Sequence, residues 1–136
     1  MHIRTATPQE IPAVCNVLDG GLLAVSHPVL ERSVEDDAVY VAVTEKQSEP
    51  GEETVIGALV LDGREIVAVA VRPRRRGQGI GTALVETALT RRGVACAEFD
   101  ERVRPFWDAL GFSIEPMEDE DRYRGKAQDI SRSETR

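Results

Sequence analysis

The sequence predicts an α+β fold built on one mixed sheet. Three observations carry that expectation. Apolar segments follow one another in the order strand, helix, strands, helix, strand, helix, strands. A two-residue hairpin signal, Asp62-Gly63, separates the strand-like run Thr54–Leu61 from the apolar run Ile66–Val71. That second run empties into Arg72-Pro73-Arg74-Arg75-Arg76-Gly77-Gln78-Gly79-Ile80-Gly81-Thr82, four arginines and three glycines at the head of an amphipathic helix.

The elements can be justified in chain order. Ile3–Ala6 reads as a short first strand. Thr7-Pro8-Gln9-Glu10 has the form of a capping box with proline at the first helical position. Ile11, Val14, Cys15 and Leu18 recur at i, i+3, i+4 and i+7, an amphipathic helical stripe. Pro12 falls in its second turn and distorts the start, and Gly20-Gly21 ends or interrupts the helix. Residues 26–37 are acidic and irregular, with room for a second short helix. Ala38–Val43 reads as a strand, and Glu45 to Glu53 as a polar loop around Pro50-Gly51.

Beyond the arginine-glycine run, Ile80, Ala83, Leu84, Ala88 and Leu89 form a buried stripe. Arg91-Arg92-Gly93 closes that helix, cations first and glycine last. Val94–Phe99 reads as a strand and Val103–Leu110 as a short helix ended by Gly111. Phe112–Pro116 and Arg122–Ala127 are the last strands. A single domain over residues 1–128 is expected, with 129–136 as a frayed tail.

Composition narrows the function classes. Of the 136 residues 41% are hydrophobic and 30% charged, which suits a globular chain with one core. No apolar run reaches the length of a membrane span, and the N-terminus turns polar at once, so no secretory leader is expected. Cys15 and Cys96 each lie in an apolar stretch and read as small core hydrophobes, which points to the reducing cytoplasm. The net charge of −7 argues against duplex DNA and anionic membranes as partners. In such an acidic chain, four arginines within five residues are a local positive island. No His, Cys, Asp or Glu cluster has metal-ligand spacing, so no metal is expected. His27 reads as a surface histidine.

The island carries the chemistry. Glycine lets the backbone turn tightly and approach a ligand. The first N–H groups of a helix lack internal partners and sit at the positive end of its dipole, so the turn is a socket for phosphate or pyrophosphate. A Walker loop would need a lysine after its last glycine, and none is present. A dinucleotide fingerprint would need a third glycine where Thr82 stands, although Asp100 lies near the expected ribose-binding acid. That reading, a nucleotide-binding domain, stays open as a distant alternative.

Arg76-x-x-Gly79-x-Gly81 resembles motif A of the GCN5-related N-acetyltransferases (GNAT), R/Q-x-x-G-x-G/A. Pro105-Phe106-Trp107-Asp108-Ala109-Leu110-Gly111-Phe112 is similar to the F-Y-x-x-x-G-F segment after the family's fifth strand. The resemblance spans residues 2 to about 127. It implies the GNAT acyl-CoA N-acyltransferase fold, an α/β/α sandwich around a mixed, mostly antiparallel sheet. It further implies a cytoplasmic transferase moving acetyl from acetyl-CoA to a small-molecule or peptide primary amine, directly in a ternary complex. The alternative is a catalytically silent acyl-CoA-binding sensor or scaffold. A homodimer is compatible with the family.

Residue by residue, the resemblance gives the backbone of Val69, Ala70 and Val71 to pantetheine. Gly77, Gln78, Gly79, Ile80, Gly81 and Thr82 go to the pyrophosphate; Arg74, Arg75 and Arg76 go to the pyrophosphate or the CoA 3′-phosphate, or else some of the three are simply solvated. Trp107 stands where the family often has a tyrosine that reprotonates the CoA thiolate. Indole N–H is no acid, so water or Tyr123 replaces it, or Trp107 only walls the pantetheine site. Glu65, at the head of Glu65–Val71, is the candidate general base or else a solvated strand-end charge. Glu98 and Asp100 are alternative bases or substrate anchors.

Overall fold

The computed structural model describes residues 1–20, 25–45 and 53–128. Seven strands form one sheet: β1 (His2–Thr5), β2 (Val39–Glu45), β3 (Glu53–Asp62), β4 (Glu65–Val71), β5 (Val94–Asp100), β6 (Ser113–Pro116) and β7 (Arg122–Gln128). Their order across the sheet is β1-β2-β3-β4-β5-β7-β6. Every neighbouring pair is antiparallel except β4 with β5, which runs parallel. The helices are α1 (Ile11–Gly20), α2 (His27–Glu35), α3 (Ile80–Arg92) and α4 (Arg104–Ala109). The mixed, mostly antiparallel α+β fold is as the sequence predicts. The polar loop between β2 and β3, Gly21 and the C-terminal tail lie outside the described residues.

Two apolar layers hold the sheet. On one face α1 and α2 bury Val14, Val17, Leu30 and Val34 against Val39, Val41, Val60 and Ala68. On the other, α3 lays Ile80, Leu84, Val85 and Ala88 on Leu59, Leu61 and Ile66, and Trp107 and Phe112 cover Ala97 and Phe99. The α3 stripe is rotated slightly from expectation. Val85 is fully buried, while Ala83 and Leu89 sit at its edges.

Local chemistry sets the boundaries. Pro8–Glu10 is a separate 3₁₀ turn, and α1 starts afresh at Ile11. Pro12 then falls in the first turn of a helix, where its missing N–H is no loss. The Glu10 carboxylate accepts from Thr7 N at 2.9 Å and from both Arg4 guanidinium nitrogens at 2.8 and 2.7 Å. The β3–β4 hairpin is one residue off its expected place. Asp62 stays in the ladder opposite Glu65, so Gly63 (φ 63°) and Arg64 make the turn.

The C-terminal half hangs on β7, which lies between β5 and β6 although it follows both. Gly125 allows this: a Cβ there would come within 3.1 Å of both the Phe99 and Phe112 rings. One expectation fails in this half. Cys96 is not a core residue; it is half-buried on a polar face, where its Sγ meets Glu65 and Arg124. Cys15 does pack against the α1–α2 core, and both cysteines are free thiols.

Candidate active site

The site grows from one defect in the sheet. β4 and β5 pair only at Glu65–Cys96 and Ile66–Ala97. Opposite this point the β3–β4 register jumps: Val60 pairs with Ala68 and Leu61 with Ile66, leaving Val67 as the extra residue of a bulge. Past the bulge the parallel strands diverge around a cleft of about 770 Å³, walled by β4, β5 and α4. Val67 and Val103 line it at 38% and 47% exposure. Large apolar side chains left wet inside a concavity mark a ligand surface.

Ladder geometry fixes which backbone groups face the gap. Arg72 N donates to Ile56 O at 2.9 Å, so that pair is hydrogen-bonded. Alternation along an antiparallel ladder then turns the amide and carbonyl of Ala70 towards β3, and those of Val69 and Val71 into the cleft. Ala70 therefore contributes wall and not backbone. The Val71 carbonyl already accepts from Arg76 Nε at 3.2 Å.

At the open end, Pro73–Arg75 forms a 3₁₀ turn, and Gly77 and Gly79 take φ of 78° and 79°. Any Cβ at those two positions is strained. The first bond of α3 runs from Ala83 N to Gly79 O at 3.0 Å, so the Ile80, Gly81 and Thr82 amides precede it, free at the positive helix end. The four arginines divide. Arg72 is a tether, its Nε donating to Val55 O at 2.8 Å. Arg76 lines the cleft mouth, while Arg74 and Arg75 project into solvent beside it. The tethering role of Arg72 has no local sequence signal, because its partner lies across the hairpin.

Trp107 borders the cleft but belongs mostly to the core, with 4% of its surface exposed. Its ring stacks on Phe99 (5.4 Å between centroids) and meets Phe106 and Phe112 edgewise at 5.1 and 4.9 Å. Tyr123 does not line the cleft; it stacks on Phe99 and carries the Arg104 guanidinium over its ring at 4.8 Å.

The three carboxylates part company. Glu98 and Asp100 line the cleft. Glu65 sits outside it, at the closed end of the seam, in a separate depression with Cys96 and Arg124. Arg124 knits this group: Nη1 lies 2.9 Å from Glu98 Oε2 and 3.3 Å from Glu65 Oε1, and Nη2 donates to Cys96 Sγ at 3.3 Å. Burial, and next the adjoining Glu65 carboxylate, raise the Cys96 thiol above its usual pKa, so it is a poor nucleophile. Asp100 Oδ1 accepts the Arg102 backbone N–H at 2.9 Å and its Nε at 3.2 Å. The backbone bond chiefly holds Asp100 below the usual carboxylate range. His27 pairs with Glu31 at 2.7 Å on the exposed face of α2. Among the described residues no group of three His, Cys, Asp or Glu is placed to hold a metal. No helix there is long and apolar enough to cross a membrane.

Known proteins place this geometry. Residues 35–114 match the acetyltransferase (GNAT) domain. No curated protein sequence matches the chain. Among solved structures, Rv2747 from Mycobacterium tuberculosis in complex with CoA and NLQ superposes with a TM-score of 0.70 at 21% identity, covering 95% of this chain and 99% of that one. Arabidopsis thaliana Naa50 in complex with the bisubstrate analogue CoA-Ac-MVNAL gives 0.71 at 15% identity over 94% and 98%. N-acetylglutamate synthase from Neisseria gonorrhoeae, complexed with coenzyme A and N-acetyl-glutamate, gives 0.67 at 16% identity over 93% and 34%. At these identities the likeness is one of fold, and the domain match goes further. With more than half of its length inside that match, and with a glycine-arginine turn opening a split parallel seam, the chain belongs to the GNAT family of acetyltransferases, enzymes that use acetyl-CoA as co-substrate.

Proposed function

We propose that this protein transfers acetyl from acetyl-CoA to a primary amine, directly within a ternary complex, in the reducing cytoplasm where its two cysteines stay thiols. The observation that carries the reading is the seam that closes at Ile66–Ala97 and opens toward the glycine-arginine turn. Amides of residues 77–82, with Arg74 and Arg76, take the pyrophosphate. Pantetheine lies along Val69 and Val71 and makes the strand pairing that β5 abandons. At the bulge, cleft-facing backbone N–H polarises the thioester carbonyl as charge develops on its oxygen.

Continuing the parallel register beyond Ile66–Ala97 sets Glu98 across from Val67 and Asp100 across from Val69. We assign Glu98 the place beside the acceptor amine, where its carboxylate receives the proton the attacking nitrogen must lose. Glu65 is a poorer base, since Arg124 stands between it and the cleft carboxylate and an arginine does not relay protons. Its part is to fix Arg124. The leaving thiolate departs to water; lacking a dedicated acid costs at most a factor of ~10²–10⁴.

Trp107 motivates a second reading, a silent acyl-CoA-binding module, because neither it nor Tyr123 offers the cleft an acidic hydroxyl. Calorimetric titration separates the cases. Acetyl-CoA is expected to bind, with affinity lowered about tenfold or more in Gly79→Val, whose Cβ opposes the left-handed turn. Binding without CoA release across an amine panel would establish the silent module. No binding at millimolar acetyl-CoA would sink both readings, and binding of NAD or ATP instead would restore the nucleotide-binding alternative.

A further inference from the structure

We infer that the acceptor carries a carboxylate as well as its amine, the carboxylate bound by Arg122 and the ammonium by Glu98; this rests on the acetyl-transfer reading above. Helices α1 and α2 pack on β2, β3 and β4 and stop at the seam. Beyond it, β5 and β7 present an uncovered row of cross-strand pairs on the same face: Cys96 with Lys126, Glu98 with Arg124, Asp100 with Arg122.

Their partnerships are unequal. Arg124 is committed to Glu98, Glu65 and Cys96. Asp100 directs its hydrogen bonds to Arg102 and not to Arg122, although Arg122 is near enough to favour its charged form. Arg122 is half-buried, lines the cleft and, among the described residues, has no ion pair within 4.0 Å. Glu98 in turn bonds Arg124 through Oε2 only, leaving Oε1 open.

An open carboxylate oxygen and an unpaired guanidinium thus share one cleft wall. They are diagonal neighbours on β5 and β7, with roughly 7–8 Å between such backbones, close enough for both side chains to converge on one small molecule. The chain as a whole is acidic, yet this wall balances Glu98 and Asp100 against Arg102 and Arg122. A polyamine would set a cation against Arg122. An amino acid, or a peptide end with an acidic group nearby, satisfies both charges.

The test uses the full chain saturated with CoA, titrated with N-acetylglycine and N-acetyl-β-alanine against N-methylacetamide and N-ethylacetamide, which lack the carboxylate. Tighter binding of the carboxylated products by about 10- to 100-fold is expected. That margin should collapse in Arg122→Gln and partly return in Arg122→Lys, with acetyl-CoA affinity constant throughout. Equal binding of both probe classes by the wild type, or a margin untouched by Arg122→Gln, overturns the inference and leaves acetyl transfer standing. Failure of the wild type to bind CoA would instead remove the reading on which it rests.

Discussion

Trp107 packs against Phe99, Phe106 and Phe112, so cutting it back opens a cavity beside the cleft. Trp107→Ala should destabilise the fold by about 3–5 kcal/mol, read from denaturant unfolding. Trp107→Phe keeps the ring contacts and should hold kcat/KM within a few fold. A fall of ~10²-fold at unchanged stability would show that the indole acts in the reaction after all. The two flanking aromatics and Gly111 could be read from spacing alone. Trp107's partners could not, because Phe99 belongs to another element. Glu65 teaches the same limit: its place at the head of β4 was legible, whereas Arg124 and Cys96 reach it only through the pairing of β5 with β4 and β7.

Among the elements, α3 and its turn were the most legible, since glycines at forced positive φ and a helical apolar stripe are both local signals. Gly93 and Gly111, each at φ 84°, end their elements where the pattern placed them. Gly57 in β3 gave no such signal; it matters because α3 crosses above it. A Cβ at Gly57 would lie 3.0 Å from Ile80 Cγ2, 3.2 Å from Leu84 Cδ1 and 3.3 Å from Ala70 O. Gly57→Val should therefore cost about 1–3 kcal/mol as α3 is pushed off the sheet, lowering the urea midpoint. Because α3 is led by the glycine-arginine turn proposed to hold the pyrophosphate, acetyl-CoA affinity should fall as well. An unchanged midpoint would mean that the helix yields freely. The Val67 bulge was likewise invisible in the chain: Ile66–Val71 is apolar throughout, with no alternation to be interrupted, and only the partner strand's register exposes the extra residue.

At the scale of the molecule, two half-sheets meet at two residue pairs. The ligand-free protein should exchange the Val69 and Val71 amide hydrogens faster than those of Ala68 and Ala70, which face β3. Saturating acetyl-CoA should narrow that difference; equal protection without ligand would contradict the assigned register. The sequence disclosed the half proposed to bind the donor, whose signals are contiguous, and hid the half proposed to meet the acceptor, whose wall is assembled from separate strands. That wall has a history as well as a shape. β6 is made before β7 but docks outside it, so β5 keeps a bare edge until Arg122–Gln128 has been synthesised. A nascent chain that has exposed every residue proposed to hold acetyl-CoA still lacks Arg122 and Arg124. On the acetyl-transfer reading, the acceptor side of the cleft is therefore completed after the donor side, because its two arginines are translated later.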